Sequence, residues 1–380
     1  PQKVNRPDLV IGVCGCMAEH LRDNLFEKAP MVDLVVGPDA YRRLPELIDK
    51  ASGGHLTVDV KLDRNETYDG MPPAKVDGIN GWVSIQRGCD KFCSFCIVPF
   101  VRGRERSCSP REVLRQSRAL VEQGAVELTL LGQTVNSYRY EDADFADLLS
   151  AVAKIEGLKR IRFTSPYPLD FSDKLIDTIA SEPKVMPYVH LPLQSGSDEV
   201  LQNMRRGYTS DEFVKLALSL REKIDNVALS TDLIVGFPDE SESDFQETLD
   251  LVRAIQFDMA FMFIYSQRSH TYASKKMPDS VPVAVKKDRL KRLIAIQEGI
   301  SEIKHKQYIG RQVPVLVSGP SRRDPELMSG RTDTFKTTII SVNDSGPKPE
   351  IGEEILVEIK DSTSHTLMGD LIRTSSCKVA

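Results

Sequence analysis

The chain has 380 residues, long for one domain and sufficient for two or three of about 150 residues each. A formal net charge of −5 and a pI near 5.8 exclude a uniformly basic nucleic-acid binder, so any RNA partner has to be held by local basic patches. No apolar run approaches the roughly 18 to 20 residues of a membrane helix, and the opening PQKVNRPDLV lacks the apolar core of a secretory signal, so a soluble, cytoplasmic protein with no membrane partner is expected.

Residues 8 to 50 read as strand, helix, strand, helix: DLVIGV, AEHLRDNLFEKA, VDLVVG and PDAYRRLPELIDKA. This is α/β patterning, but with few elements to cover a parallel sheet, so residues 1–52 are expected to be an incomplete α/β domain. Residues 53–80 carry Gly53, Gly54, Pro72 and Pro73 without periodicity and read as a linker. Six apolar strand-like runs follow within 81–308: VSIQR, ELTLLGQTV, RIRFTS, YVHLPLQS, NVALSTDLIVGF and MAFMFIYS, with helical patterns between them. Ser109-Pro110-Arg111-Glu112 is a capping box with proline at the first helical position and Gly124 beyond the helix end, and Ser243 with Gln246 suggests a second box. Six βα units require right-handed crossovers and are too few for an eight-stranded barrel, so a partial barrel is expected. A long helical pattern over 283–308 precedes VPVLVSG, KTTIISV, EILVEIK and HTLMGDLI, which read as a small β-barrel over 309–380.

Seven cysteines, Cys14, Cys16, Cys89, Cys93, Cys96, Cys108 and Cys377, form an odd and clustered set that favours metal or redox chemistry over disulfides. Cys89, Cys93 and Cys96 form a CxxxCxxC loop directly after the first barrel strand, where parallel barrels place their chemistry. Three thiolates at this spacing suit one iron–sulfur cube and leave one iron without a protein ligand, open to a substrate. A structural zinc would want four closed ligands and a ferredoxin-type cluster a fourth cysteine, for which Cys108 is badly spaced. Cys14 reads as a small buried residue ending a strand, and Cys108 and Cys377 as ordinary thiols. His190, inside YVHLPLQ, reads as a hydrogen-bonded core histidine.

The triplet resembles that of the radical S-adenosylmethionine superfamily, and several segments are similar to its methylthiotransferase branch of the MiaB type: GCMAEH around Cys16, LLGQTVNSY from Leu130, TSPYP from Thr164, HLPLQSGSDEVLQNMRRGYT from His190 and STDLIVGFPDES from Ser230. The resemblance implies a partial (β/α)6 barrel in which Cys89, Cys93 and Cys96 hold a [4Fe–4S] cluster. Its open iron would chelate S-adenosylmethionine, which serves both as methyl donor and as source of a 5′-deoxyadenosyl radical. It also implies a second [4Fe–4S] cluster, ligated by Cys16 and by two cysteines expected upstream of residue 1. Gln133, Ser165, Gln194 and Asp232, at or just past strand ends, become candidates for contacting S-adenosylmethionine.

The terminal β-rich unit resembles a TRAM domain, and PSRRDPELMSGRTDTFK from Pro320 looks like its RNA-binding version. Arg322, Arg323, Arg331 and Lys336 are expected to meet phosphate, and the basic stretch from Arg268 to Lys306 is a further candidate patch. The resemblance implies a tRNA anticodon stem-loop as partner, with methylthiolation at carbon 2 of an N6-isopentenyladenosine beside the anticodon. It also implies an electron donor such as flavodoxin or ferredoxin. Alternatives are a threonylcarbamoyladenosine tRNA or a ribosomal-protein aspartate as substrate, or a non-catalytic RNA-binding module with a structural metal.

Overall fold

A computed structural model describes residues 2–76, 78–342 and 347–373. Cys377 lies outside the described residues. Among them no helix is long and apolar enough to cross a membrane.

The N-terminal unit is a parallel sheet of β1 (Gly12–Cys14), β2 (Leu34–Val36) and β3 (Thr57–Asp59), with β2 central. The short apolar runs make strands here because β2 is buried on both sides, against the helix Leu44–Ser52 and against Ala18 and Leu25. The expected linker therefore carries a strand: Thr57 to Asp59 pair in register with Leu34 to Val36. The chain just beyond β3 also packs back, since Tyr68 stacks on Tyr41 with ring centres 5.9 Å apart and Glu66 pairs with Arg42 at 2.9 Å. A strand of three residues is too short to show periodicity, and its partners lie too far along the chain to leave a local signal.

Six parallel strands form the central domain: β4 (Asn80–Ser84), β5 (Glu127–Leu131), β6 (Arg160–Phe163), β7 (Tyr188–His190), β8 (Ala228–Val235) and β9 (Met259–Ile264). They pair as β6-β5-β4 and β7-β8-β9, and a bridge between Ile161 and Val185 joins the halves. No strand pairing closes β4 onto β9 among the described residues, so this is the partial six-stranded barrel expected from the pattern. The main core lies between the outside of this sheet and its helices. Gly81 is needed there, because a Cβ would meet the Leu128 and Leu120 side chains at 2.7 and 3.1 Å.

Ser109 caps the helix Pro110–Glu122 by accepting from the Glu112 amide, but only half the expected box forms, since the Glu112 carboxylate is engaged by Arg115 and Gln116. The second box sits two residues earlier than expected. Ser241 caps the helix Glu242–Ile255 and Asp244 reciprocates, because the aspartate at that spacing returns the bond to the cap amide.

After the helix Val283–Lys306 the chain forms a closed five-stranded barrel of β10 (Gln312–Pro320), β11 (Met328–Thr332), β12 (Thr337–Ser341), β13 (Glu354–Ser362) and β14 (Thr366–Ile372), in the order β10-β11-β12-β14-β13. It docks under the N-terminal ends of β4 to β6. Lys159 Nζ donates to Gly352 O at 2.8 Å, Arg160 pairs with Glu354 at 2.7 Å, and Arg162 donates to the carbonyls of Asp333 and Thr332.

Candidate active site

The cysteine loop begins where β4 runs out. Gly88 has φ +76, and a side chain there would drive a Cβ to 2.0 Å from Arg104 O, so the chain passes too close for any other residue. Its amide donates to Gln133 Oε1 at 2.7 Å, and the Cys89 amide donates to Gly103 O. Ser94, between the second and third cysteines, is fully buried and bonds the carbonyls of Asn203 and Met204. The loop is thus clamped from β5 on one side and from the Met204 turn on the other.

Burial pushes the Cys89 thiol up and the Cys96 thiol up to about 11, with the nearby Cys93 charge adding to both. Such thiols become thiolates when a metal supplies the opposing charge. The loop offers three cysteine thiols, one short of the four ligands that a closed zinc site takes. A mononuclear zinc draws every ligand to about 2 Å from one point, whereas a cube lets each thiolate meet a different iron. The donor set therefore fits a cluster better than a lone ion.

The sequence offered no sign of Arg206, yet its guanidinium, on a residue only 6% exposed, donates to Cys93 Sγ at 3.3 Å. It also bonds Tyr208 Oη at 2.9 Å and Pro192 O at 3.2 Å, and lies over the Tyr167 ring at 4.8 Å. The doublet Arg205-Arg206 hides which of the two turns inward. Arg205 instead stacks on Tyr272.

On the other side of the loop, Arg102 Nε donates to Cys16 Sγ at 3.1 Å, and the helix Cys16–Leu21 packs on the helix Val98–Arg102. Asp39, buried in the N-terminal unit, receives Arg87 at 3.2 Å and Arg106 at 2.9 Å. Because Arg87 immediately precedes Gly88, this ion pair ties the N-terminal unit to the cysteine loop. Cys14 ends β1 as expected but is exposed rather than buried: β1 is an edge strand whose burial alternates, and residue 14 falls on the open face. Cys108 is an internal thiol facing the carbonyls of Thr67 and Ser84, and burial pushes it up to about 12.

The four candidate contacts for S-adenosylmethionine separate. Ser165 and Asp232 line one cavity of about 570 Å³ in the barrel lumen. Gln133 holds the cysteine loop through Gly88, and Gln194 is buried at the end of β7 without lining the cavity. Ser165 and Gln194 have φ of 55° and 76°, unusual for such residues and a strain of about 1 to 3 kcal/mol each, of the kind that collects at ligand sites. His190 is hydrogen-bonded as expected, through Nδ1 to Ser230 at 2.9 Å and through Nε2 to Asp232 at 3.2 Å, but it faces the lumen rather than the core.

Of the expected phosphate contacts, Arg322 and Arg323 are exposed on the loop before β11, and Arg331 is exposed with its guanidinium 4.0 Å from the Phe335 ring centre. Lys336 is a correction. It is 5% exposed and paired with Asp258 at 2.8 Å across the contact between the two barrels, where it cannot meet RNA. The stretch from Arg268 to Lys306 is neutralised in part: Lys286 pairs with Asp279, Arg289 with Glu240, Arg292 with Glu242, Lys304 with Asp258 and Lys306 with Glu302. Sequence shows these charges but not that Glu240, Glu242 and Asp258, from outside the stretch, fold against them. Arg322→Ala and Arg323→Ala are each expected to reduce the salt dependence of RNA binding by about one ion, and Lys336→Ala to leave that slope unchanged, as read from binding isotherms over a range of salt.

A half barrel of six parallel strands with three cysteines after its first strand defines a radical S-adenosylmethionine protein, and residues 83–252 match the Radical SAM superfamily while residues 306–372 match the TRAM domain. The tRNA-2-methylthio-N(6)-dimethylallyladenosine synthase of Porphyromonas gingivalis is 45% identical over 96% of this chain and 79% of its own length. That of Bacillus subtilis is 42% identical over 97% and 73%, and that of Moorella thermoacetica 43% over 97% and 84%. The chain belongs to this family, tRNA-2-methylthio-N(6)-dimethylallyladenosine synthase. Among solved structures, the radical S-adenosylmethionine methyltransferase TsrM from Kitasatospora setae superposes with a TM-score of 0.55 at 18% identity, over 70% of this chain and 59% of that one, a likeness of fold alone.

Proposed function

We propose that this chain attaches a methylthio group to carbon 2 of N6-dimethylallyladenosine beside the anticodon of tRNA. The observation that carries this reading is the clamped Cys89-Cys93-Cys96 loop at the mouth of the partial barrel, in a chain whose relatives bear that activity in their names. Those names also favour it over threonylcarbamoyladenosine tRNA, a ribosomal-protein aspartate, or RNA binding without catalysis.

Membership of the radical S-adenosylmethionine superfamily implies a [4Fe–4S] cluster and S-adenosylmethionine. When bound, they supply reductive cleavage of the sulfonium to a 5′-deoxyadenosyl radical, which carbon 2 requires because no ordinary base acts on it. In this chain Cys89, Cys93 and Cys96 hold the cluster, and Arg206 steadies Cys93. Ser165 and Asp232 are the candidates that face the lumen for cofactor contact, while Gln133 positions the cysteine loop. Cys16, with Arg102 against its sulfur, would be one ligand of a second cluster. The TRAM domain holds tRNA, with Arg322 and Arg323 as phosphate contacts; a flavodoxin or ferredoxin delivers the electron, and the setting is cytoplasmic. The N-terminal unit extends past residue 52 to take in β3, the partial barrel runs over 81–308 and the TRAM domain begins at 309.

The test is anaerobic reconstitution with iron and sulfide, then dithionite and S-adenosylmethionine, with 5′-deoxyadenosine and the methylthio nucleoside measured by mass spectrometry. 5′-Deoxyadenosine should form in the parent protein and vanish in Cys93→Ala. A fully iron-loaded parent that makes none would overturn the reading.

A further inference from the structure

The lumen cavity is separate from the cysteine loop: none of Cys89, Cys93 or Cys96 lines it. It opens between β4 and β9, the two barrel edges that no pairing joins. Trp82 of β4 and Phe261 of β9, on the two unpaired edges, both line it and are 48% and 45% exposed, large apolar surfaces open to an incoming group. From the docked TRAM domain, Leu316 and Phe335 complete an aromatic and aliphatic wall.

Most of the charged groups that share this space are already engaged, the exception being Arg331, whose guanidinium lies over the Phe335 ring. Arg162 is paired with Glu127 at 2.8 Å, Tyr188 Oη bonds Ser230 Oγ at 2.7 Å, and His190 bridges Ser230 and Asp232. What the chamber offers an incoming group is therefore chiefly apolar surface. Its volume of about 570 Å³ lies within the range of small-ligand sites.

We propose that this chamber, with Trp82 and Phe261 as its jaws, receives the N6-dimethylallyl chain of the target adenosine and so selects prenylated tRNA. The inference rests on the function proposed above and names residues of its substrate specificity. A branched five-carbon chain gains by leaving water for aromatic walls, each methylene-sized group contributing a few-fold in affinity. The carboxylate of a threonylcarbamoyl group would instead be stripped of water beside Arg162 and His190, which are already committed, with Arg331 as its one remaining cationic partner in the lining. TRAM docking also acquires a second consequence, because Leu316 and Phe335 form part of the chamber only while the two barrels are in contact.

The test compares binding of the reconstituted protein to an anticodon stem-loop carrying N6-dimethylallyladenosine, to the same RNA with unmodified adenosine, and to one with threonylcarbamoyladenosine. The parent is expected to prefer the prenylated RNA by on the order of 10- to 100-fold. That preference should fall toward one in Trp82→Ala, and also in Phe261→Trp, which fills the chamber instead of enlarging it. A preference that persists in both variants overturns the chamber as receptor, as does equal parental affinity for the threonylcarbamoyl RNA, which would point to Arg331 as a carboxylate partner. Because the ratio needs no turnover, it is read independently of the parent's 5′-deoxyadenosine yield, and only that yield bears on the underlying reading.

Discussion

Arg206→Met is expected to lower the midpoint potential of the reconstituted barrel cluster by on the order of 60 to 120 mV. A hydrogen bond to a charged group is worth about 1.5 to 3 kcal/mol, and for one electron a tenfold change in equilibrium corresponds to about 59 mV. The sign is set by charge. Reduction makes the cluster more negative, and the buried guanidinium 3.3 Å from Cys93 Sγ stabilises the reduced form more than the oxidised one. Removing it makes reduction harder, so formation of 5′-deoxyadenosine with a weak donor should fall more steeply than with excess dithionite. The fold should tolerate the change, because Pro192 O keeps its bond from Tyr208 Oη at 2.9 Å. Arg206→Lys should recover part of the potential, since it keeps the charge but not the fork that also reaches Tyr208 and Pro192. Spectroelectrochemical titration decides the matter, and an unchanged potential in Arg206→Met would confine Arg206 to a packing role.

Arg162→Met is expected to cost about 3 to 5 kcal/mol, because it leaves Glu127 buried without its partner. The same side chain donates to Asp333 O and Thr332 O and lies over the Phe335 ring at 4.8 Å, so the loss falls on the contact between the two barrels. Urea unfolding should show the TRAM domain separating early, and limited proteolysis should cut near the helix Val283–Lys306. Lys174→Met, whose ion pairs with Asp144 and Asp147 lie near solvent, is the control and should change little. Equal unfolding curves for Arg162→Met and the parent would show that other contacts carry the docking.

The two arginines have different histories in the sequence. Arg162 stands in RIRF, part of a run read as a strand from its apolar character, and the strand alternates its faces: Ile161 enters the core while Arg162 turns to the lumen. Nothing local says that its partner is Glu127, 35 residues earlier, or that it donates to a carbonyl 170 residues later. Arg206 sits in a doublet whose two members differ only in direction, and direction is decided by the turn that comes after the helix Asp198–Asn203.

The six-stranded partial barrel, the small terminal barrel, the cap at Ser109 and the CxxxCxxC loop after the first barrel strand could all be read along the chain, since each rests on neighbouring residues through periodicity, capping or ligand spacing. Strand β3, the exposure of Cys14, the burial of Lys336, the partial neutralisation of the basic stretch and the aromatic chamber could not. Each depends on which distant residue folds against it: a short strand on a neighbouring strand to pair with, a lysine on an aspartate 78 positions away, and Trp82 with Phe261 on two sheet edges left unpaired by an open barrel. Local physics in the sequence determined the elements and the ligand loop, and the long-range packing of charges and aromatic rings decided what those elements present to a substrate.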